Sequence, residues 1–265
     1  MKIFDAHVHI FPEKIAQKAT DATGNYYKVP MYSVGTLENV LNEVRSGKVT
    51  KCLIHSTATK SEQVQNVNDY ISSLCNKYGD EFIGFGTIHP DFEDIPDEIN
   101  RIAELGLYGI KIHSDFQHFA LDDKKAFPIY ESAKGKLPML FHIGDKNTDF
   151  SHPAKLRKIH DIYPDLTIIA AHLGGYSVWD EGEEYLAGID GNLYFDISSA
   201  LEFIDTDKAN KIISKHGTDR ILFGSDFPMH DPLNTLHLLE KLKLKDSDME
   251  KILYKNAENL LNIKI

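Results

Sequence analysis

Short apolar runs alternate along this chain with longer stretches of helical pattern, and that alternation restricts the fold more than any other feature. The runs are Lys2–His9, Thr50–His55, Glu81–Ile88, Tyr108–His113, Pro138–Ile143, Leu166–His172, Leu193–Ile197 and Arg220–Ser225. Each is apolar on both faces and spaced for a right-handed helical crossover, as expected of parallel strands covered by helices. The 265 residues suit one closed barrel of eight such units or two smaller domains. A doubly wound open sheet is the alternative. It calls for a Gly-rich phosphate turn after an early strand, whereas Gly84-Phe85-Gly86 lies inside a predicted strand. With no composition break to mark a linker, the expected fold is an α/β protein of the (β/α)8 TIM-barrel type, one domain over residues 1–265.

Helix signals fill the gaps between the runs. Thr36 reads as an N-cap, with Asn39 where a capping box would place Glu or Gln, and its helix runs through Arg45. Ser61 opens a helix to about Lys77, and Ser151, with Pro153 in the first turn, opens one to about Tyr163. Others are expected near Asp94–Leu105, Asp122–Lys134, Ser177–Leu186, Asp207–His216, Asp231–Leu242 and Ser247–Leu261. The first crossover departs from this pattern. Residues 11–35 mix polar and aromatic types, including Tyr26, Tyr27, Pro30, Met31 and Tyr32, with helical pattern only around Glu13–Thr20. An irregular excursion of that length reads as a lid.

The barrel reading has a consequence for chemistry, because functional groups of such barrels sit at the C-terminal ends of the strands. His7, His9, His55, His89, His113, His142, His172 and Asp226 all fall there, which places seven of the 13 histidines on one rim. His160, His216 and His237 lie in helices and read as packing or surface residues. Within the first strand, His7 and His9 point the same way because side chains alternate. Two imidazoles so placed form half of a metal site; taken alone, the pair is equally compatible with two unrelated histidines.

Charge and composition exclude several classes of function. A net charge of −11, from 29 basic and 40 acidic residues, argues against a general nucleic-acid binder, which needs a positive face. No apolar run reaches the roughly 20 residues that span a bilayer. Residues 1–10 lack a charged-then-apolar signal pattern, so a cytoplasmic location is expected. Cys52 and Cys75 form no spacing motif and read as reduced thiols. The expected partner is a small-molecule substrate, with neither nucleic acid nor membrane, and a homo-oligomer is left open.

Four motifs carry a resemblance that spans residues 3 to about 263. Asp5-Ala6-His7-Val8-His9-Ile10-Phe11-Pro12, Leu140-Phe141-His142-Ile143-Gly144, Ala171-His172-Leu173-Gly174-Gly175 and Gly224-Ser225-Asp226-Phe227-Pro228 resemble the amidohydrolase-related proteins. That is the branch of the amidohydrolase superfamily that includes amino-carboxymuconate-semialdehyde decarboxylase. The stretch Ile252–Leu260 is similar to that family's last helix. The resemblance implies that His7, His9, His142 and Asp226 bind one divalent ion, most often Zn2+, and that His172 is the catalytic histidine, with Asp226 sharing in proton movement. Imidazole and carboxylate suit such an ion, and an open position can activate water. Two-metal relatives bridge their ions with a carboxylated lysine on the fourth strand. Lys111 lies on that strand but two residues below its end, so a structural lysine paired with a carboxylate is expected instead.

His113, His89 and His55 are the candidates for the substrate pocket, and Asp196 is placed to orient His172 or a ligand. The first expectation for function is a metal-dependent hydrolase of a small ester, lactone or amide. The alternative is a metal-dependent non-oxidative decarboxylase of a small carboxylic acid. Decarboxylation of carboxylated rings usually calls on a cation such as arginine. The four arginines, Arg45, Arg101, Arg157 and Arg220, follow no strand end, although Lys146 could serve. A metal-dependent DNase is a third reading, opposed by the net charge and by Gly224–Pro228; a barrel that binds a ligand without turnover is a fourth.

Overall fold

The computed structural model describes residues 1–265. Eight parallel barrel strands run in chain order. They are Phe4–His9, Lys51–His55, a third in two pieces (Phe82–Gly84 and Gly86–Thr87), Ile110–Ile112, Met139–Phe141, Ile168–Ala170, Leu193–Asp196 and Ile221–Leu222. The third strand breaks at Phe85, whose N–H donates to Ile54 O at 3.0 Å, while Gly86 N–H turns to Gly109 O at 2.8 Å. Gly109 is required there: a Cβ would fall 2.5 Å from Phe85 Cζ. The first and eighth strands close the ring through Ala6 N–H to Phe223 O at 2.9 Å, Asp226 N–H to His7 O at 3.0 Å and His9 N–H to Phe227 O at 2.7 Å.

Two apolar layers follow from the alternation of strand side chains. The larger lies between the sheet and its helices and includes Val8, Ile54, Ile110, Ile112, Met139, Phe141 and Ile168. The smaller contains Phe4, Ala6, Leu53, Ile83, Phe85, Leu140, Ile169 and Leu222, closed by Ala257 and Leu261 of the last helix. Each fully buried side chain of the larger types contributes about 1.5–3 kcal/mol. The sheet's C-terminal rim is left to the polar groups, and no helix is long and apolar enough to cross a membrane.

The elements differ from the sequence reading in instructive places. The ladder ends short of several predicted runs: His89, His113, His142, His172 and Asp226 lie beyond the last paired residue of their strands, whereas His9 and His55 end theirs. Residues 11–35 hold a full helix, Glu13–Tyr27, rather than a fragment ending near Thr20. Gly24-Asn25 mimics a stop signal, but Gly24 is buried against Met31, and Lys28 ends the helix in a left-handed conformation with φ 57°. Thr36 does cap its helix, Leu37–Arg45, accepting Asn39 N–H at 3.2 Å. Ser61 and Ser151 are not caps: Ser61 starts a short 3-10 turn before Val64–Lys77, and His152 Nδ1 accepts Ala154 N–H ahead of Pro153–Ile162. The final helix is divided into Asp246–Glu250, a π turn Lys251–Lys255 and Asn256–Leu261. The wider turn accompanies two attachments to the eighth strand. Ile252 O accepts Phe223 N–H at 2.8 Å, and Asn256 Nδ2 donates to Ile221 O at 2.7 Å.

Candidate active site

The first strand aims two histidines by means of a β-bulge. Its register with the second strand shifts between Asp5 and Val8, so Ala6 joins the smaller apolar layer while His7 next to it joins the polar cluster. Asp5, fully buried, fixes this bend. It accepts His7 N–H at 3.1 Å and Ser225 N–H at 2.9 Å on Oδ1, and the Ser225 hydroxyl on Oδ2. One carboxylate thereby ties the His-x-His strand to the loop that presents Asp226.

His7, His9 and Asp226 converge. His7 Nε2 lies 3.3 Å from His9 Nε2 and 3.4 Å from Asp226 Oδ1, and His9 Nε2 lies 3.2 Å from the same oxygen. His7 Nδ1 donates to Asp196 Oδ2 at 2.8 Å, which leaves Nε2 as an acceptor, and Lys111 Nζ donates to it at 3.1 Å. Ligand atoms about 2.1 Å from a common ion, at angles of 90–110°, stand roughly 3.0–3.4 Å apart. The three atoms thus have both the chemistry and the spacing to hold a divalent ion. Ser199 Oγ donates to the other Asp226 oxygen at 2.6 Å.

His142 and His172 form a second pair. His172 Nδ1 donates to Ser198 O at 2.8 Å, and His142 Nε2 donates to Gly144 O at 2.9 Å. Their remaining nitrogens, His172 Nε2 and His142 Nδ1, face each other at 2.9 Å. Two lone pairs at that distance repel unless a proton or an ion lies between them. Gly144 turns with φ +86°, and a Cβ there would fall 2.6 Å from Tyr176 O. Asp196 supports both groups: beyond His7, its Oδ1 accepts the backbone N–H of His172 and of Ser198, each at 3.0 Å. His172 and Asp226 both hold positive φ, 63° each, a conformation disfavoured by about 1–2 kcal/mol for residues with a Cβ. Such strain concentrates at functional sites.

Burial sets the electrostatics. It lowers His9 to about 4, against the opposing hydrogen bond to Asp226, and lowers His142 to about 3. Both rings are therefore neutral and able to donate a lone pair at pH 7. Burial raises Asp196, but electrostatic attraction and a hydrogen bond from His7 outweigh it and bring the carboxyl to about 2. Lys111 is lowered by burial to about 8, with Asp226 and Asp196 acting in the other direction. Lys111 makes no ion pair with either carboxylate; its contact is His7, which corrects the expected lysine–carboxylate pair.

The remaining candidates separate. His55 sits opposite His9 in the strand register, with ring centroids 4.5 Å from His9 and 4.9 Å from His7, and neither of its nitrogens has a partner. His113 is sandwiched between Phe116 and His142, both centroids at 4.0 Å, and its Nε2 meets Tyr27 OH at 3.1 Å. His89 lies apart in its turn, where Nδ1 accepts Asp91 N–H at 3.2 Å. Sequence reasoning gave no role to Tyr27, Ser198 or Ser199. The serines follow the seventh strand, where the rim rule could have found them. Tyr27 was hidden by the misread helix end. Its hydroxyl also approaches His142 Nε2 at 3.3 Å, and Tyr26 OH donates to Asp145 at 2.9 Å.

Aromatic rings wall this cluster. Tyr27 stands 5.0 Å from Tyr176 and 5.9 Å from Phe116, and Tyr176 stands 5.6 Å from His172. Trp179 and Phe203 extend the wall outward. At the opposite, N-terminal face a cleft of about 510 Å³ runs past Lys136, Pro138, Asp165 and Asn192. No histidine lines it, so its volume does not mark the chemistry.

A barrel with His and Asp side chains gathered on one rim defines a class, the metal-type barrel hydrolases and lyases, and comparison narrows it. A family model described as Amidohydrolase matches residues 4–263, and the chain belongs to that family. No curated protein sequence matches. Among solved structures the chain is similar to 5-carboxyvanillate decarboxylase from Sphingomonas paucimobilis, with 16% identity, TM-score 0.75 and 100% of both chains covered. It is also similar to a dihydroxybenzoic acid decarboxylase from a Polaromonas species, solved with bound manganese and 2-nitroresorcinol. There the identity is 18% and the TM-score 0.76, with 98% of this chain and 97% of that one covered. A putative amidohydrolase from Staphylococcus aureus has 22% identity and TM-score 0.73, with 99% of this chain and 100% of that one covered.

Proposed function

We propose that the protein is a divalent-metal-dependent, non-oxidative decarboxylase of a small, flat carboxylic acid. The observation that carries this reading is the aromatic wall of Tyr27, Phe116 and Tyr176 beside the His–Asp cluster, which suits a planar conjugated substrate. Two of the similar structures act on carboxylated rings by their names, and this supports the class of reaction.

In this reading His7, His9, His142 and Asp226 hold one ion, zinc or manganese, which would anchor and polarise a substrate oxygen. The chain's own groups do the rest. The aromatic rings hold the substrate plane. Lys111, buried at the floor of the cluster, sets positive charge among the carboxylates. His172 is the proton carrier: Ser198 O occupies Nδ1, and Nε2, which meets His142 Nδ1 at 2.9 Å, is the nitrogen left to take up and release a proton. Nε2 takes a proton from solvent and passes it to the carbon that bears the carboxylate. The bond to the carboxylate then breaks, its electron pair restores the conjugated system, and carbon dioxide leaves.

Hydrolysis of a small ester, lactone or amide is the second reading, and one observation favours it: no arginine reaches the site. Arg45 pairs with Glu81, Arg101 with Glu98 and Asp69, Arg157 with Asp161, and Arg220 binds backbone carbonyls. Lys146 is exposed. A panel of hydroxybenzoates and other conjugated acids, set against one of esters, lactones and amides, decides between the two with zinc- or manganese-loaded protein. Carbon dioxide release from at least one acid is expected. Turnover confined to the ester, lactone or amide panel would reverse the order of the readings.

A further inference from the structure

We propose that His55 is a further ligand of the same ion as His7, His9 and Asp226, an imidazole beyond the set named above. The proposal rests on the metal reading given above and goes beyond its ligand set. Strand register carries the first part of the argument. His9 and His55 are directly paired on neighbouring parallel strands, so their side chains leave the sheet on the same side. One nitrogen from each of His7, His9 and His55 lies within 4.8 Å of the others, close to the span across a single coordination sphere.

The second part is the state of the ring itself. His55 is fully buried, and neither Nδ1 nor Nε2 has a hydrogen-bond partner. A neutral imidazole carries one donor and one acceptor, and buried polar groups are almost always paired. The rings around it do not offer the missing partner: His7 Nδ1 is held by Asp196, and His7 Nε2 and His9 Nε2 are turned toward Asp226. His142 and His172, by contrast, have every nitrogen facing a polar atom. A cation in the His7–His9–Asp226 space would satisfy the His55 acceptor nitrogen. A set of imidazoles with one carboxylate selects a borderline ion such as zinc or cobalt over calcium or magnesium.

The test uses the whole chain, metal-stripped and titrated with Co2+, comparing wild type with His55→Gln and His55→Ala. Binding is read by equilibrium dialysis and coordination by the visible absorption of bound cobalt, with circular dichroism confirming the fold. The expected result is about one ion per wild-type chain, an affinity at least about 100-fold weaker in both variants, beyond the usual effect of an outer hydrogen-bonding partner, and an altered cobalt spectrum. If one variant fails to fold, the imidazole nitrogen resonances of wild-type protein decide, since the His55 nitrogen should shift on Zn2+ addition as those of His7 and His9 do. Unchanged affinity and spectrum in the variants overturn the proposal while leaving the metal reading intact. A weaker affinity with an unchanged spectrum also overturns it, because His55 would then act through a neighbour. Wild type that binds no ion removes the metal reading and this proposal together.

Discussion

Single residues here are held from several sides, and their roles can be separated by substitution. Asp226 offers one oxygen to the histidines and receives the Ser199 hydroxyl on the other. Asparagine keeps the shape and one weak carbonyl donor but loses the charge. Asp226→Asn should lower turnover by roughly 10²–10⁴-fold, the usual worth of a positioned acid or base, with a smaller loss of metal affinity. His172→Asn should lower turnover similarly and leave metal content near normal, since its Nε2 faces His142 rather than the His7–His9–Asp226 triangle. Metal content and rate, measured on one preparation of each variant, check both. Loss of the ion from His172→Asn would show that His172, like His142, is a ligand of the ion rather than the proton carrier. At the first strand, His7→Ala and His9→Ala should each lose most of the bound ion while remaining folded, by elemental analysis and circular dichroism. Retention of the full ion in both would move the site elsewhere.

Elements are joined at the rim by buried polar groups rather than by apolar contact alone. Asp5 shows this most clearly, because its carboxylate receives donors from the first strand and from the loop after the eighth. Alanine there would leave two backbone N–H groups and a hydroxyl buried without partners. Such groups cost about 1–3 kcal/mol each when orphaned, and partial relaxation reduces the sum. Asp5→Ala should therefore destabilise the protein by about 2–4 kcal/mol in urea unfolding and weaken metal binding through a displaced His7. A loss below about 1 kcal/mol would mean that the bulge holds its shape without Asp5. The helix Glu13–Tyr27 acts at the same scale. It carries Tyr26 to Asp145 and Tyr27 to His113 and His142, so a surface helix supplies part of the site wall.

For the molecule as a whole, the burial of so many imidazoles couples stability to pH. His9, His55, His113, His142, His172 and His216 are all lowered by burial, His9 and His216 to about 4. An unfolded chain protonates its histidines near 6.5. Below that value the unfolded state binds more histidine protons than the folded one, so this contribution is complete above about pH 6.5 and is lost as pH drops toward 4, while Asp5, raised by burial to about 7, offsets the share of one histidine. Each such histidine contributes roughly 1.4 kcal/mol per pH unit in that window. Two or three acting together give about 3–4 kcal/mol per unit, or a Tm decrease on the order of 10 °C for a chain of this size. Thermal unfolding of metal-free protein at pH 7 and pH 5 measures it, and a Tm unchanged between them would contradict the folded-state burial of these rings.

The sequence by itself determined the layers and the rim. Apolar runs of strand length, separated by helical crossovers, admit few closed packings, and a period of two residues is enough to send His7 and His9 the same way. The placement of His142, His172 and Asp226 at strand ends was legible for the same reason, since the end of an apolar run can be read locally. What the tertiary structure decided is how these groups meet. The bulge at Asp5–Val8, the left-handed backbone at His172 and Asp226, and the extension of a helix past Gly24 to Tyr27 depend on hydrogen bonds and packing between segments far apart in the chain. So does the partner of Lys111, which local pattern assigned to a carboxylate and the closed barrel gives to His7. Local periodicity fixes the direction in which a side chain leaves its strand. The distance between two side chains on different strands is set only when the barrel closes, and ion binding and proton transfer both depend on that distance.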